Sequence, residues 1–215
     1  MRLSELSRRS GVATATVKFY LREGLLPPGR RITATQAEYD ERHLRRLRLV
    51  RALIQVGGVS VASAREVLAA LDDDSLDQNE RLGTAVCALP HGKPADADDP
   101  AMETARRRAE QLLELLDWGY DPATGATIPA YGMLVTAIAA LERLGYPCTV
   151  ADLEPYARTL GRLAVNDLDL VERYGGTADE QVEAAVALTV LYEPVLLALR
   201  RLAEAEESRR RFGRK

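Results

Sequence analysis

Cysteine is scarce in this sequence, with only Cys87 and Cys148 among 215 residues. Far apart and matching no zinc-ligand spacing, they argue against a disulfide framework or structural metal site and read as small buried hydrophobes. Histidine is as rare: His43 and His91 fall in a basic stretch and a Pro/Asp-rich one. Neither has a nucleophile or paired carboxylate beside it, so no acid–base centre is legible, no enzyme is expected, and no metal or cofactor is predicted. Long apolar runs are missing too. Nothing approaches the roughly 18–20 residues that cross a bilayer, and MRLSELSRRSG lacks the apolar run of a secretory signal. A cytoplasmic protein with no membrane partner is the expectation.

Positive charge is also lacking overall, at a formal net of -3, yet its distribution is uneven. Residues 1–71 hold 13 Lys/Arg against 6 Asp/Glu, and residues 72–215 hold 16 against 26. A basic head and an acidic body suggest that the head meets a polyanion while the body does something else. A hydrophobic fraction of 47% with 28% charged residues allows a packed core.

What is present is helical periodicity. Helices are predicted at about 4–10, ended by Gly11, and 14–23, ended by Gly24, with Thr14 as the cap of the second. Two short helices about a tight glycine turn make a minimal helix-turn-helix. Val17 and Leu21 lie at i, i+4 and face inward, leaving Thr16, Lys18 and one of the rings Phe19 or Tyr20 outward. LLPPGRRITATQAEY then reads as a hairpin-like wing carrying Arg30 and Arg31. Asp40 caps a helix of about 41–56 with Leu44, Leu47, Val50 and Ile54 in stripe, Gly57-Gly58 stop it, and Ser60 caps another to 71. A helix at 75–89 precedes the connector PHGKPADADDP. Asp99-Pro100 starts the next helix, because proline at the first helical position has no amide to lose. In it Met102, Ala105, Ala109, Leu112 and Leu116 step 3, 4, 3, 4, which suggests a dimer seam; an ordinary amphipathic helix fits the same spacing. Helices at 129–144, 149–173 and 177–208, the last kinked near Pro194, complete an all-α chain with a small β-wing. The basic tail SRRRFGRK reads as a solvated end.

The head, in LSELSRRSGVATATVKFYLREGLLPPGRR and YDERHLRRLRLVRALIQVGGVSVASAREVLAAL, resembles the N-terminal domain of the MerR family of bacterial transcription regulators over about 70 residues. The resemblance implies a winged helix-turn-helix over 1–71; beyond it the pattern of the residues reads as a helix and connector at 72–100 and a helical dimerisation and effector-binding domain at 101–215. It implies a homodimer on promoter DNA, its second helix in the major groove and its wing on phosphates, with RNA polymerase as a further partner. Carried onto this chain, the DNA contacts are Thr14, Thr16, Lys18, Phe19, Tyr20, Arg30, Arg31 and Tyr39. Tyr20 has two readings, a phosphate contact or packing within the head. Lys18 stands where arginine is common, which favours phosphate positioning over a bidentate guanine contact. Leu21 replaces a commonly acidic residue. TQAEY lacks the usual wing Gly-Tyr-Arg and keeps only Tyr39, which leaves the family's phosphate contacts there open. The cysteines do not match those of the metal-sensing members. The family mechanism implied is bending and untwisting of an overlong promoter spacer.

The acidic body resembles no effector domain. Trp118, Tyr120, Tyr131, Tyr146, Tyr156, Tyr174 and Tyr192 give it rings with polar tips, which line ligand pockets and also pack ordinary cores. A small organic effector is the leading expectation. The alternative is a repressor or adaptor whose body docks a protein partner.

Overall fold

A computed structural model describes residues 1–33, 36–90, 99–119 and 129–213. Most of the 90–100 connector, His91 and Tyr120 therefore lie outside the described residues. The fold is all-α with a small β-wing, and the chain forms two compact units, Met1–Leu89 with Tyr174–Lys215, and Pro90–Arg173.

The first unit begins with α1 (Leu3–Ser10) and α2 (Thr14–Arg22), then β1 (Arg30–Arg31) and β2 (Ala37–Glu38), then α3 (Glu41–Arg51) and α4 (Val61–Leu71). Its caps follow from side-chain chemistry. Asp40 accepts from the amide of His43 while His43 Nδ1 reaches back to the Asp40 amide, closing a reciprocal cap. Ser60 accepts from the amide of Ser63. The second helix differs from expectation: Ala13 takes the cap position without a side-chain bond, and Thr14 is its first helical residue. A π-helical turn, Ala52–Val56, extends α3 and ends where the Gly57 amide donates to Ala52 at 2.9 Å.

Two more elements belong to this unit, α5 (Gln78–Cys87) and, after a long excursion, the C-terminal helix, here α9 (Ala178–Phe212). Val182, Val186 and Val190 of α9 complete the buried cluster built by Leu6, Val17, Leu47, Val50, Leu53 and Val67. The body predicted at 101–215 is therefore not one unit. A helical stripe specifies that a face must be buried, and several partners can bury it equally well. Where α9 crosses the π turn the fit is close: a Cβ on Gly57 would stand 2.3 Å from Val190 Cγ1 and 2.9 Å from the Leu53 carbonyl oxygen. Gly57→Ala is expected to cost about 1–3 kcal/mol in thermal or chemical denaturation, because overpacking must displace backbone.

α9 runs through Pro194 without interruption. It also corrects the expectation about apolar runs, holding an 18-residue stretch of mean hydropathy 1.8, long and apolar enough by composition to cross a bilayer. Such a stretch also suits a core helix, and Val182, Val186 and Val190 use it that way.

The second unit holds α6 (Pro100–Leu115), α7 (Pro129–Arg143) and α8, Val150–Tyr174, up to Arg173. Asp99 caps α6 by accepting from the Ala101 amide at 2.9 Å. The stripe read as a dimer seam is occupied within the chain. Met102, Ala105 and Ala109 bury against Val135, Ile138, Ala139 and Cys148, Leu112 is buried as well, and Leu116, just past the helix end, is half-buried. Small residues at 105 and 109 let α7 approach closely, so the 3-4 spacing reports an intramolecular helix pair.

Candidate nucleic-acid interface

The turn between α1 and α2 is set by Gly11, at φ 67°, a left-handed conformation that glycine adopts without a Cβ clash. Its amide caps α1 by donating to Ser7, and Arg51 Nη1 donates to the Ser10 carbonyl at 2.9 Å, placing a cation at that helix's C-terminus. The end of α2 is held the same way. Arg65 Nε donates to the Glu23 carbonyl at 2.9 Å and Nη2 to its carboxylate at 3.0 Å. Both helices of the pair are thus fastened to α3 and α4 by arginines.

On α2 the inward residues are Val17, fully buried, and Tyr20, 3% exposed. Leu21 is half-buried against the same core. Thr14 and Lys18 are exposed, Thr16 is half-buried, and Phe19 lies tilted against Tyr20 with ring centroids 5.8 Å apart. Lys18 forms no ion pair or hydrogen bond among the described residues. Neither does Arg22, one turn on along the same face, which sequence reasoning passed over although its i, i+4 spacing from Lys18 was the available signal. The outer side of α2 is therefore a stripe of uncompensated cation flanked by hydroxyls.

The wing is antiparallel, pairing Arg30 with Glu38 and Arg31 with Ala37. Successive residues face opposite sides of a strand, so the two arginines diverge. Arg30 Nη2 bonds Glu38 Oε2 at 2.5 Å and holds that carboxyl below its ordinary range. Arg31 is exposed and unpaired among the described residues. Tyr39, 7% exposed, is a correction. Its amide bonds the Met1 carbonyl at 2.8 Å, its ring meets His43 edge-on at 5.1 Å, and a Cβ at Gly29 would stand 2.8 Å from it, so it anchors the wing's base. Tyr20 resolves to packing, its hydroxyl pushed up in pKa by burial. Aromatic residues flanked by cations read as contacts in sequence; burial overrides that reading because a planar ring fills the gap between α2 and the following leucines.

In the second unit Trp118 is exposed, its ring 3.2 Å from where Gly161 would carry a Cβ, and Tyr146 and Tyr156 are exposed. Tyr131 is half-buried, its hydroxyl 3.4 Å from Glu110. Buried Cys148 receives a bond from Arg108 at 2.8 Å, which also pairs with Glu142. Burial pushes the thiol's pKa up.

The sequence profile of the MerR HTH family regulatory proteins matches residues 1–71. Over its whole length the chain is similar to the putative transcriptional regulator SCO5550 of Streptomyces coelicolor A3(2). In that crystal structure the identity is 51%, the coverage is 100% of this chain and 99% of the other, and the TM-score is 0.83. No curated protein matches.

Proposed function

The chain belongs to the MerR family and is a DNA-binding transcriptional regulator, and from that premise we propose that it binds a promoter operator as a homodimer, α2 of each protomer lying in the major groove of one half-site. The observation that carries the contact is the unpaired Lys18 on the outer side of α2, opposite the buried Val17 and Tyr20. Thr14, Thr16 and Arg22 share the work on α2. Arg31 grips phosphate from the wing, and Arg30 contributes less because Glu38 already compensates it. Footprinting on DNA next to the chain's own gene tests the reading; a protected stretch of two half-sites supports it, and uniform weak protection refutes it. Lys18→Ala is expected to weaken operator binding by about tenfold and to lower the salt slope by about one, read in gel shifts across a salt series.

The dimer reading rests on α9. Beyond Leu191 none of its described residues is buried, and Leu188, Tyr192, Val195, Leu199 and Leu202 step 4, 3, 4, 3, the a/d spacing of a helix that pairs with another. Leu199 is 57% and Leu202 66% exposed, an apolar stripe that a second copy would cover. The finer mechanism follows the family: the dimer distorts an overlong promoter spacer so that RNA polymerase engages both elements. A small organic effector acting on the second unit sets that state, a reading supported by the exposed Trp118, Tyr146 and Tyr156. The adaptor alternative is supported by the exposed Leu160, Val165 and Leu168 on α8. Thermal-shift screening of metabolites against pull-down with polymerase separates the two.

A further inference from the structure

A cavity of about 550 Å³ in the first unit is lined by Arg42, Arg45 and Arg46 of α3, Arg81 of α5, Asp72 and Asp74 after α4, and the first turn of α9. Its charged groups are incompletely matched. Arg46 pairs with Asp72, Arg81 Nη1 with Asp179 at 2.8 Å, and Arg45 Nη1 with Glu180 at 2.9 Å. Glu183 faces the same arginines but stands off, 3.7 Å from Arg46 Nε and 3.9 Å from Arg45 Nε. Those separations are too long for hydrogen bonds. The consequence is a set of donors without acceptors. Among the described residues, the buried side-chain nitrogens lacking a partner are Arg45 Nε, Arg46 Nη1, Arg81 Nε and His43 Nε2, and all four belong to residues lining this cavity.

A buried guanidinium N–H without an acceptor is costly, and the side chains of Arg46 and Arg81 are each only 10% exposed. Each of the three guanidiniums keeps a buried N–H unbonded beside its one carboxylate partner, and Glu183 stands beyond hydrogen-bond reach; such free donors around one space favour an oxyanion that bonds them directly. We propose that this cavity is a binding site for a small free oxyanion, held by Arg45, Arg46 and Arg81, whose entry displaces the charge of Glu183.

Glu183 is suited to give way. Burial pushes its carboxyl above the ordinary range, Arg46 and Arg45 pull it back, Asp72 pushes it up again, and Arg42 adds a weaker downward pull. Asp40, Asp74, Asp179 and Glu180 line the same cavity and add negative potential, Arg81 adds positive potential, and His43 lines it as well. A carboxyl raised in the folded state takes up a proton on folding, so its contribution to stability is present at low pH and lost as pH rises through the raised value. An entering anion raises it further and drives proton uptake, and that proton offsets one of the charges the anion brings. Binding is then linked to protonation: affinity falls with pH above the Glu183 range, by up to about tenfold per unit for one linked proton.

The site is independent of operator recognition, so its failure leaves the regulator reading intact. The test is calorimetry of the full chain with sodium sulfate, which stays fully ionised wherever a raised carboxyl titrates, against sodium chloride of equal ionic strength. The expected result is one saturable sulfate site per chain with affinity falling as pH rises. Glu183→Gln, which stays folded because it removes a disfavoured charge, keeps the site and abolishes the pH dependence. Arg46→Gln weakens binding by about tenfold or more, provided circular dichroism shows it folded. A parallel arm with duplex DNA separates free anion from backbone phosphate, since competition by sulfate for this site must leave DNA affinity unchanged at constant ionic strength. Heats no different from chloride would overturn the proposal. So would an unchanged pH dependence in Glu183→Gln, or competition confined to DNA.

Discussion

Leu199→Glu with Leu202→Glu is expected to shift the chain from a dimer to a monomer of 23.6 kDa, with operator affinity falling by about a hundredfold or more. Both leucines lie on the part of α9 that stays exposed among the described residues. Placing four like charges in a paired seam costs burial and adds repulsion across the two-fold axis. The loss of affinity follows from geometry. Two half-sites read by linked heads bind at high effective concentration, and an unlinked head must find each half-site alone. Light scattering coupled to size exclusion reads the mass and gel shifts read the affinity. Helicity should change little, since these positions are already solvated in the single chain, while the melting temperature falls and loses its dependence on protein concentration as the partner's stabilisation is removed. An unchanged mass would move the dimer seam elsewhere, and the exposed face of α8 would be the next place to look.

Val186→Asp is expected to unfold the first unit, removing about 4 kcal/mol or more of stability. Val186 is fully buried in the cluster that joins α9 to the head, and an aspartate there has no partner for its charge. The informative contrast is Val165→Asp on the exposed face of α8, which should fall within about 0.5 kcal/mol of the parent. Urea unfolding followed by circular dichroism distinguishes them. Truncation after Arg173 should reproduce the Val186→Asp defect, because the head then loses Val182, Val186 and Val190 together. If residues 1–89 alone melted as sharply as the full chain, the assignment of α9 to the head's core would be wrong.

Much of this architecture could be read before any coordinate. Asp40, Ser60 and Asp99-Pro100 act as caps where local chemistry demands them, since a capping bond spans only two or three residues and needs nothing from the rest of the fold. The wing follows similarly from a Pro-Pro-Gly break and the residues after it. Lys18 could be placed outward because Val17 on the same helix had to face in. The rings were harder. Tyr20 and Tyr39 each carry an apolar body and a polar tip, and which end meets solvent depends on whether neighbouring helices leave a gap to fill.

Helix positions, the caps at Asp40, Ser60 and Asp99, the charge asymmetry and the family of the head were determined by the sequence itself, because each rests on interactions within a few residues or on a spacing held over a long stretch. Pairing between distant helices was decided only in three dimensions. The 3-4 stripes of α6 and α9 look alike in sequence, yet α6 is covered by α7, while α9 is half absorbed by the head and half left bare. The hydrophobic effect rewards burial without naming a partner, so backbone path and steric fit, such as the notch at Gly57, decide which face meets which. The unmatched arginines around Glu183 belong to the same class: the α9 carboxylates they face are about a hundred residues or more away in the chain, and no local rule of the kind that governs caps reaches that far.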